Sequence, residues 1–208
     1  MKVIIISDNP NHPGQLKLVE SLRRHGWEYV EIVEPFRGLG YKISELAKYL
    51  RQSGDDEFIL MDAFDTYCIA PPSEWERYVY PFSADIVISG EKQCFPHPEK
   101  AEFFESGRSP WKFPNSGQIW GRSKPFLDLV DVFEWNDADN DQIWYTDRAA
   151  GKSVFIDVQC VNFQSIAFEE EGDFSFVYDR LQNNVTGTMP LFIHGNGRTD
   201  MTKFYERL

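Results

Sequence analysis

The sequence predicts an α/β fold with a mostly parallel central sheet and helices on both of its faces. Three observations predict it. Short continuous apolar runs, "KVIIIS", "EFILMD" and "DIVISGE", have the length and β-branched content of strands buried on both sides. Between the first two lie two stretches with apolar residues at helical spacing, each closed by a glycine. Strands alternating with helices of that length need crossover connections, and crossovers build parallel pairs.

The elements follow in order. The first strand, Lys2 to Ser7, brings Ser7 and Asp8 to its carboxyl end. "GQLKLVESLRRHG" is a helix with Leu16, Val19 and Leu22 on one stripe and Gly26 as its left-handed terminator. "WEYVEIV" reads as the second strand, and "YKISELAKYLRQSG" as the second helix, with Ile43, Leu46, Ala47 and Leu50 on one face. "EFILMD" is the third strand and stops on Asp62. Beyond Pro71 the pattern loosens: "SEWERYVYPF" reads as helix and "DIVISGE" as strand. The Pro-, Gly- and charge-rich stretch from Gln93 to Pro114 is expected to form a mobile flap over a site. "NSGQIWG" is expected to be a turn entering an apolar strand. Helices near Pro125 to Phe133 and across "NDQIWYTDRAAG" come next, then strands "SVFIDV" and "PLFIHGNG". "FEEEGD", Phe168 to Asp173, reads as an exposed acidic turn. Residues 1–208 are read as one domain, because a chain of 208 residues buries enough surface to stand alone.

Composition narrows the function classes. Charged residues at 26% and hydrophobic ones at 42% describe a globular chain, and the 15% aromatic content leaves rings available to line a cleft. A formal charge of −12 argues against capture of nucleic-acid backbones or anionic membranes, which need clustered Lys and Arg. Nucleic acid would require a local patch such as Arg108, Arg122 and Arg198. Phosphate held through a metal ion is compatible with an acidic protein. The first apolar run is too short for a signal-peptide core, and the three scattered cysteines suit reduced thiols, so a cytoplasmic protein is expected.

In open α/β sheets ligands settle outside the carboxyl ends of the strands, where Asp62 and Asp65 fall. Two carboxylates across a tight turn suit a hard divalent cation, and equally suit a plain turn. "DAFDT" misses by one residue the D-x-D pattern of haloacid-dehalogenase-type phosphatases, and it stands on a third strand. His194 ends an apolar run and is followed by Gly195, Asn196 and Gly197, a second strand end able to converge on the same edge. In "DADNDQIWYTD" the acids either cap a helix or, at Asp141, face a ligand. Asn115 and Ser116 either form a turn or bond sugar hydroxyls.

Seven segments, taken in order, resemble the glycosyltransferase domain of the procollagen lysyl hydroxylase family: "RGLGYKISELAKYL", "FILMDAFDTYC", "ISGEKQCFPHPE", "FPNSGQIWG", "DNDQIWYTD", "FIDVQCVNFQSI" and "PLFIHGNGRT". The resemblance implies a GT-A, Rossmann-like domain that uses Mn²⁺, or Mg²⁺, and a UDP-sugar donor. It implies Asp62, Asp65 and His194 as metal ligands. Lys42, Ser7, Asp8, Asn115, Ser116, Gly195 and Asn196 would border the donor, and Asn140 and Asp141 the transferred sugar. The partner would be a hydroxyl-bearing acceptor: a protein, a glycan, a lipid-linked precursor or a modified nucleobase. A non-catalytic sugar-nucleotide module and a metal-dependent phosphohydrolase are the alternatives. Three departures stand out: Asn140 where the family has an acid, Phe95 where it has tryptophan, and Gln118 where it has glycine. The last is expected to place a side chain beside the acceptor.

Overall fold

β1 (Lys2–Ser7) is buried from Val3 onward because helices cover both of its faces. This is a computed structural model, and it describes residues 1–78, 84–104 and 109–207. After β1 come α1 (Pro13–His25), β2 (Tyr29–Val33), α2 (Tyr41–Ser53) and β3 (Glu57–Asp62), with β1 lying between β2 and β3 in parallel register. His12 starts α1 by accepting the Gly14 N–H at 3.1 Å, and Gly26 ends it at φ 78°.

The inward stripe of α1 is Gln15, Leu18, Val19 and Leu22. Leu16, expected on that stripe, is 53% exposed. Positions 15, 18, 19 and 22 keep the three- and four-residue spacing of a single face, and position 16 falls beside it. In α2 the expected face of Ile43, Leu46, Ala47 and Leu50 is buried.

β4 (Thr66–Cys68), α3 (Pro72–Tyr78), β5 (Ile86–Glu91), a 3₁₀ turn (Pro98–Phe104), β6 (Phe113–Arg122), α4 (Ser123–Val132), α5 (Asp141–Ala150) and β7 (Phe155–Asp157) follow. The central sheet runs β2-β1-β3-β6-β5-β7, and β6 alone is antiparallel to its neighbours. α1 covers Val3, Ile5, Ile59 and Met61 on one face. α2, α4 and α5 cover Ile4, Ile6, Phe58 and Leu60 on the other.

Asn115, Ser116 and Gly117 do not form a turn. They lie inside β6, whose pairing with β5 continues past a bulge between Ile88 and Ser89. Gln118, expected to place a side chain beside an acceptor, is fully buried and outside the cleft wall. Side chains alternate across a strand, and at 118 the alternation turns inward, to the side of Trp120. Residues 79–82 of the expected third helix and 105–108 of the expected flap lie outside the described residues. The flap's described flank is anchored, with the buried Trp111 donating its indole N–H to Ser165 O at 2.9 Å.

The last third of the chain builds a smaller layer from β8 (Phe163–Ser165), a hairpin of β9 (Phe174–Val177) and β10 (Arg180–Asn183), β11 (Phe192–His194) and α6 (Thr202–Tyr205). β11 lies between β4 and β8. In the acidic turn Glu169, Glu170 and Glu171 are not buried, but Asp173 turns inward to Lys92 Nζ at 2.6 Å. No helix among the described residues is long and apolar enough to cross a membrane.

Candidate active site

One short pairing decides where His194 goes. β3 delivers Asp62, three residues of turn deliver Asp65, and β4 begins at Thr66. β11 runs antiparallel to β4 with His194 opposite Thr66, so the imidazole arrives beside Asp65. The Gly195 N–H donates to Asp65 O at 2.7 Å and the Thr66 hydroxyl to Asp62 O at 2.5 Å, which fixes the turn against both strands. His194 Nε2 stands 3.3 Å from Asp65 Oδ1 and 3.8 Å from Asp62 Oδ2, and one ligand atom from each residue lies within 4.8 Å of the others. Two carboxylates and an imidazole at that spacing suit a divalent cation and leave it coordination positions for phosphate oxygens.

The imidazole is oriented from behind. Asn115 Oδ1 accepts the Gly117 N–H at 3.0 Å, which identifies it as the amide oxygen, and it meets His194 Nδ1 at 2.9 Å. Nδ1 therefore carries a proton, and Nε2 faces the carboxylates. Gly117 is required at its position, because a Cβ there would overlap the His194 ring. Burial opposes charge on His194, but Asp65 and Asp62 outweigh it and raise its pKa.

Deeper in the cleft the charges neutralise one another. Lys42 Nζ lies 2.6 Å from Asp62 Oδ1 and 2.9 Å from Asp141 Oδ2, with 8% of its side chain exposed. Its pKa is raised: burial alone would lower it, and the two carboxylates overcome that. Burial pushes the Asp141 carboxyl up, and Lys42 opposes the shift. Glu91, at the carboxyl end of β5, accepts from Gln142 Nε2 at 2.6 Å and Asn196 Nδ2 at 2.8 Å. Burial pushes its carboxyl up to about 7.

These groups share a cleft of about 370 Å³. It takes in Asp62, Asp65 and His194 at one end, Lys42, Asn140 and Asp141 along one wall, and Asn115, Ser116 and Asn196 along the other. Ser7 and Asp8 lie outside it, in an adjoining hollow of about 200 Å³ that shares Lys42, Asp62 and Asp65. Gly195 is not in the wall, and its N–H serves the Asp65 carbonyl. Asn140 is the N-cap of α5, accepting the Gln142 N–H at 2.9 Å, while Asp141 points into the cleft rather than capping the helix.

A family model described as the PLOD GT domain matches residues 24–205. The chain belongs to this family of glycosyltransferase domains. It is 25% identical over 198 residues to an uncharacterised protein of Acanthamoeba polyphaga mimivirus, covering 88% of this chain and 43% of that protein. It is 26% identical over 180 residues to the human multifunctional procollagen lysine hydroxylase and glycosyltransferase LH3, covering 81% of this chain and 24% of the relative. The chain thus spans less than half the length of these relatives. Among solved structures, a glycosyltransferase involved in glycosylation of the major capsid of PBCV-1 superposes with a TM-score of 0.50 at 13% identity, covering 99% of this chain and 98% of that one. By family and fold this is a GT-A glycosyltransferase domain.

In this PLOD GT domain the residues that sequence reasoning missed are Glu91 and Gln142. Glu91 ends an apolar strand just as Asp62 does, so the strand-end rule that found one could have found the other. Gln142 carries no local signal, because its role is to bridge Glu91, the Phe95 carbonyl and the helix start. Of the expected arginine patch, Arg122 pairs with Asp85 at 3.2 Å, and Arg108 and the Arg198 side chain lie outside the described residues.

Proposed function

We propose that the chain transfers a hexosyl or pentosyl unit from a nucleoside-diphosphate sugar, a UDP-sugar, to a hydroxyl acceptor with the help of Mn²⁺ or Mg²⁺. The observation that carries this reading is the convergence of Asp62, Asp65 and His194 at the mouth of a cleft whose inner wall holds Lys42 and Asp141. When bound there, the cation would neutralise charge growing on the departing diphosphate. Every other step falls to the chain's own groups.

Asp62, Asp65 and His194 would hold the ion, with Asn115 keeping the imidazole nitrogen turned toward it. Lys42, fixed between Asp62 and Asp141, offers a permanent positive charge next to the ion's ligands. Ser7 and Asp8, in the hollow beyond the carboxylates, would take the nucleoside end of the donor. Ser116 and Asn196 would border the diphosphate or sugar, and Asn140 would hold the helix start steady. Asp141 would stabilise positive character at the anomeric carbon. Glu91, titrating near neutrality and lining the same cleft, is suited to take the acceptor hydroxyl's proton. The free thiols Cys68, Cys94 and Cys160 support a reducing, cytoplasmic setting.

Calorimetric titration with UDP, with and without Mn²⁺, tests the reading. Binding is expected only with the cation, followed by UDP release from a UDP-sugar when an acceptor is present. UDP binding without any release over a broad acceptor panel would identify a binding module instead, and release of inorganic phosphate a hydrolase.

A further inference from the structure

Two large rings that line the cleft stand largely in water. Phe95 is 59% exposed and Phe168 is 55% exposed, and both line the same pocket as Glu91 and Asp141. Exposed rings are unremarkable when they are scattered, but these two flank one polar cavity. Neither is on a loose backbone. The Phe95 carbonyl accepts the Gln142 Nε2–H at 2.7 Å. The Phe168 carbonyl accepts from Lys92 Nζ at 3.1 Å, and that ammonium is also held by Asp173 Oδ2 at 2.6 Å. The neighbouring Ala167 N–H donates to Asn196 Oδ1 at 3.0 Å. Phe168 sits at φ 57°, a left-handed conformation that a bulky residue adopts only when its surroundings impose it. Each ring is therefore displayed by a residue adjacent to, or bonded to, the polar floor.

We propose that Phe95 and Phe168 form a rigid clamp for an uncharged saccharide acceptor, with Lys92 acting as the positioning residue that holds Phe168 over the cleft. The proposal rests on the transferase reading above and names the acceptor class for the same site. Charge selects against the alternatives. An anionic acceptor would meet Asp62, Asp65, Glu91 and Asp141, while Lys42 is the single lysine or arginine among the described lining residues and is already paired twice. A cationic acceptor would find Asp173 engaged by Lys92, Glu169 by Lys203, and Glu91 by Gln142 and Asn196. Phenylalanine is also a poorer partner for cations than tryptophan. An uncharged sugar ring fits what remains. Its C–H surface suits phenyl rings, and its hydroxyls suit the amide side chains of Gln93 and Asn140 in the same lining, since amides both donate and accept.

The test uses the whole chain loaded with UDP and Mg²⁺. Saturation-transfer NMR compares methyl β-lactoside and methyl β-maltoside with a charged glucuronide and a lysine-rich peptide, while calorimetry follows UDP affinity separately. The neutral glycosides are expected to bind best. Phe168→Ala and Phe95→Ala are each expected to weaken them about 10-fold without moving UDP affinity, consistent with loss of one buried ring contact. Lys92→Met should reproduce the Phe168→Ala loss with the ring still present, a split between glycoside and UDP that general loosening of the fold would not produce. Unchanged glycoside affinity in Phe168→Ala, a preference for the glucuronide or the peptide, or no glycoside binding by a wild type that binds UDP would each overturn the clamp. A wild type that fails to bind UDP would overturn the transferase reading and this inference with it.

Discussion

The two ends of the cleft are built on opposite electrostatic plans. At the outer end Asp62 and Asp65 keep 28% and 37% of their side chains exposed; Lys42 pairs with Asp62 while Asp65 faces the imidazole, and the open carboxylate oxygens leave room for a cation. At the inner end Lys42, Asp141 and Glu91 are buried, and each carboxylate has a partner within the protein. An exposed acid pair retains hydration and can exchange water for a metal, whereas a buried acid must be compensated on the spot. The outer end is therefore organised to bind a cation, and the inner end to hold its own charged groups in fixed positions.

The sharpest way to break this contrast is at the outer end. Asp65→Ala is expected to abolish Mn²⁺-dependent UDP binding in calorimetry, a loss of at least about 100-fold, or ~3 kcal/mol, with little effect on stability. If UDP affinity were unchanged, the metal assignment would fail. At the inner end the expected pattern inverts. Lys42→Met leaves two carboxylates uncompensated and should destabilise the fold by about 3–5 kcal/mol in urea unfolding. Adding Asp141→Asn should recover part of that loss, and a double-mutant cycle measures the coupling.

Glu91 sharpens the comparison through pH. Its carboxyl titrates at about 7 in the fold, above the ordinary value of 4.5. The folded state thus keeps a proton that the unfolded chain releases. Its contribution is complete below pH 4.5 and is lost as pH rises to about 7. Relative to Glu91→Gln, the wild type should lose about 3 kcal/mol across that window, measured by urea unfolding at several pH values; parallel curves would contradict the burial argument. The smallest effect is expected at Gly117→Ala, where the added methyl must displace the His194 ring. A cost of about 1–3 kcal/mol is expected, with Mn²⁺ affinity falling further than stability does.

Much of this architecture was legible in the letters. The apolar runs of β1, β3 and β5 and the glycine-terminated helices α1 and α2 are local signals, and each formed where its periodicity placed it. Leu16 failed because one stripe drawn through a helix can be shifted by a residue without losing its apolar count. Asn115 to Gly117 looked like a turn because Asn, Ser and Gly favour turns, and neighbouring strand β5 overrode that preference by pairing past a bulge. Gln118 lies on the same strand, at the break in pairing with β5, and there its side chain packs into the interior.

By itself, then, the chain's order of residues determined the strands β1, β3 and β5, the helices α1 and α2, and that an acid ends the third strand. It could not state that His194 meets Asp65, because that meeting depends on β4 and β11, strands of three residues each that are separated by more than a hundred positions. Strands so short have no periodicity of their own, and only packing against the finished central sheet sets their register. The pairing of Lys42 with Asp141 and the display of Phe168 over the cleft have the same origin: both come from long-range contacts that exist only once the chain has folded.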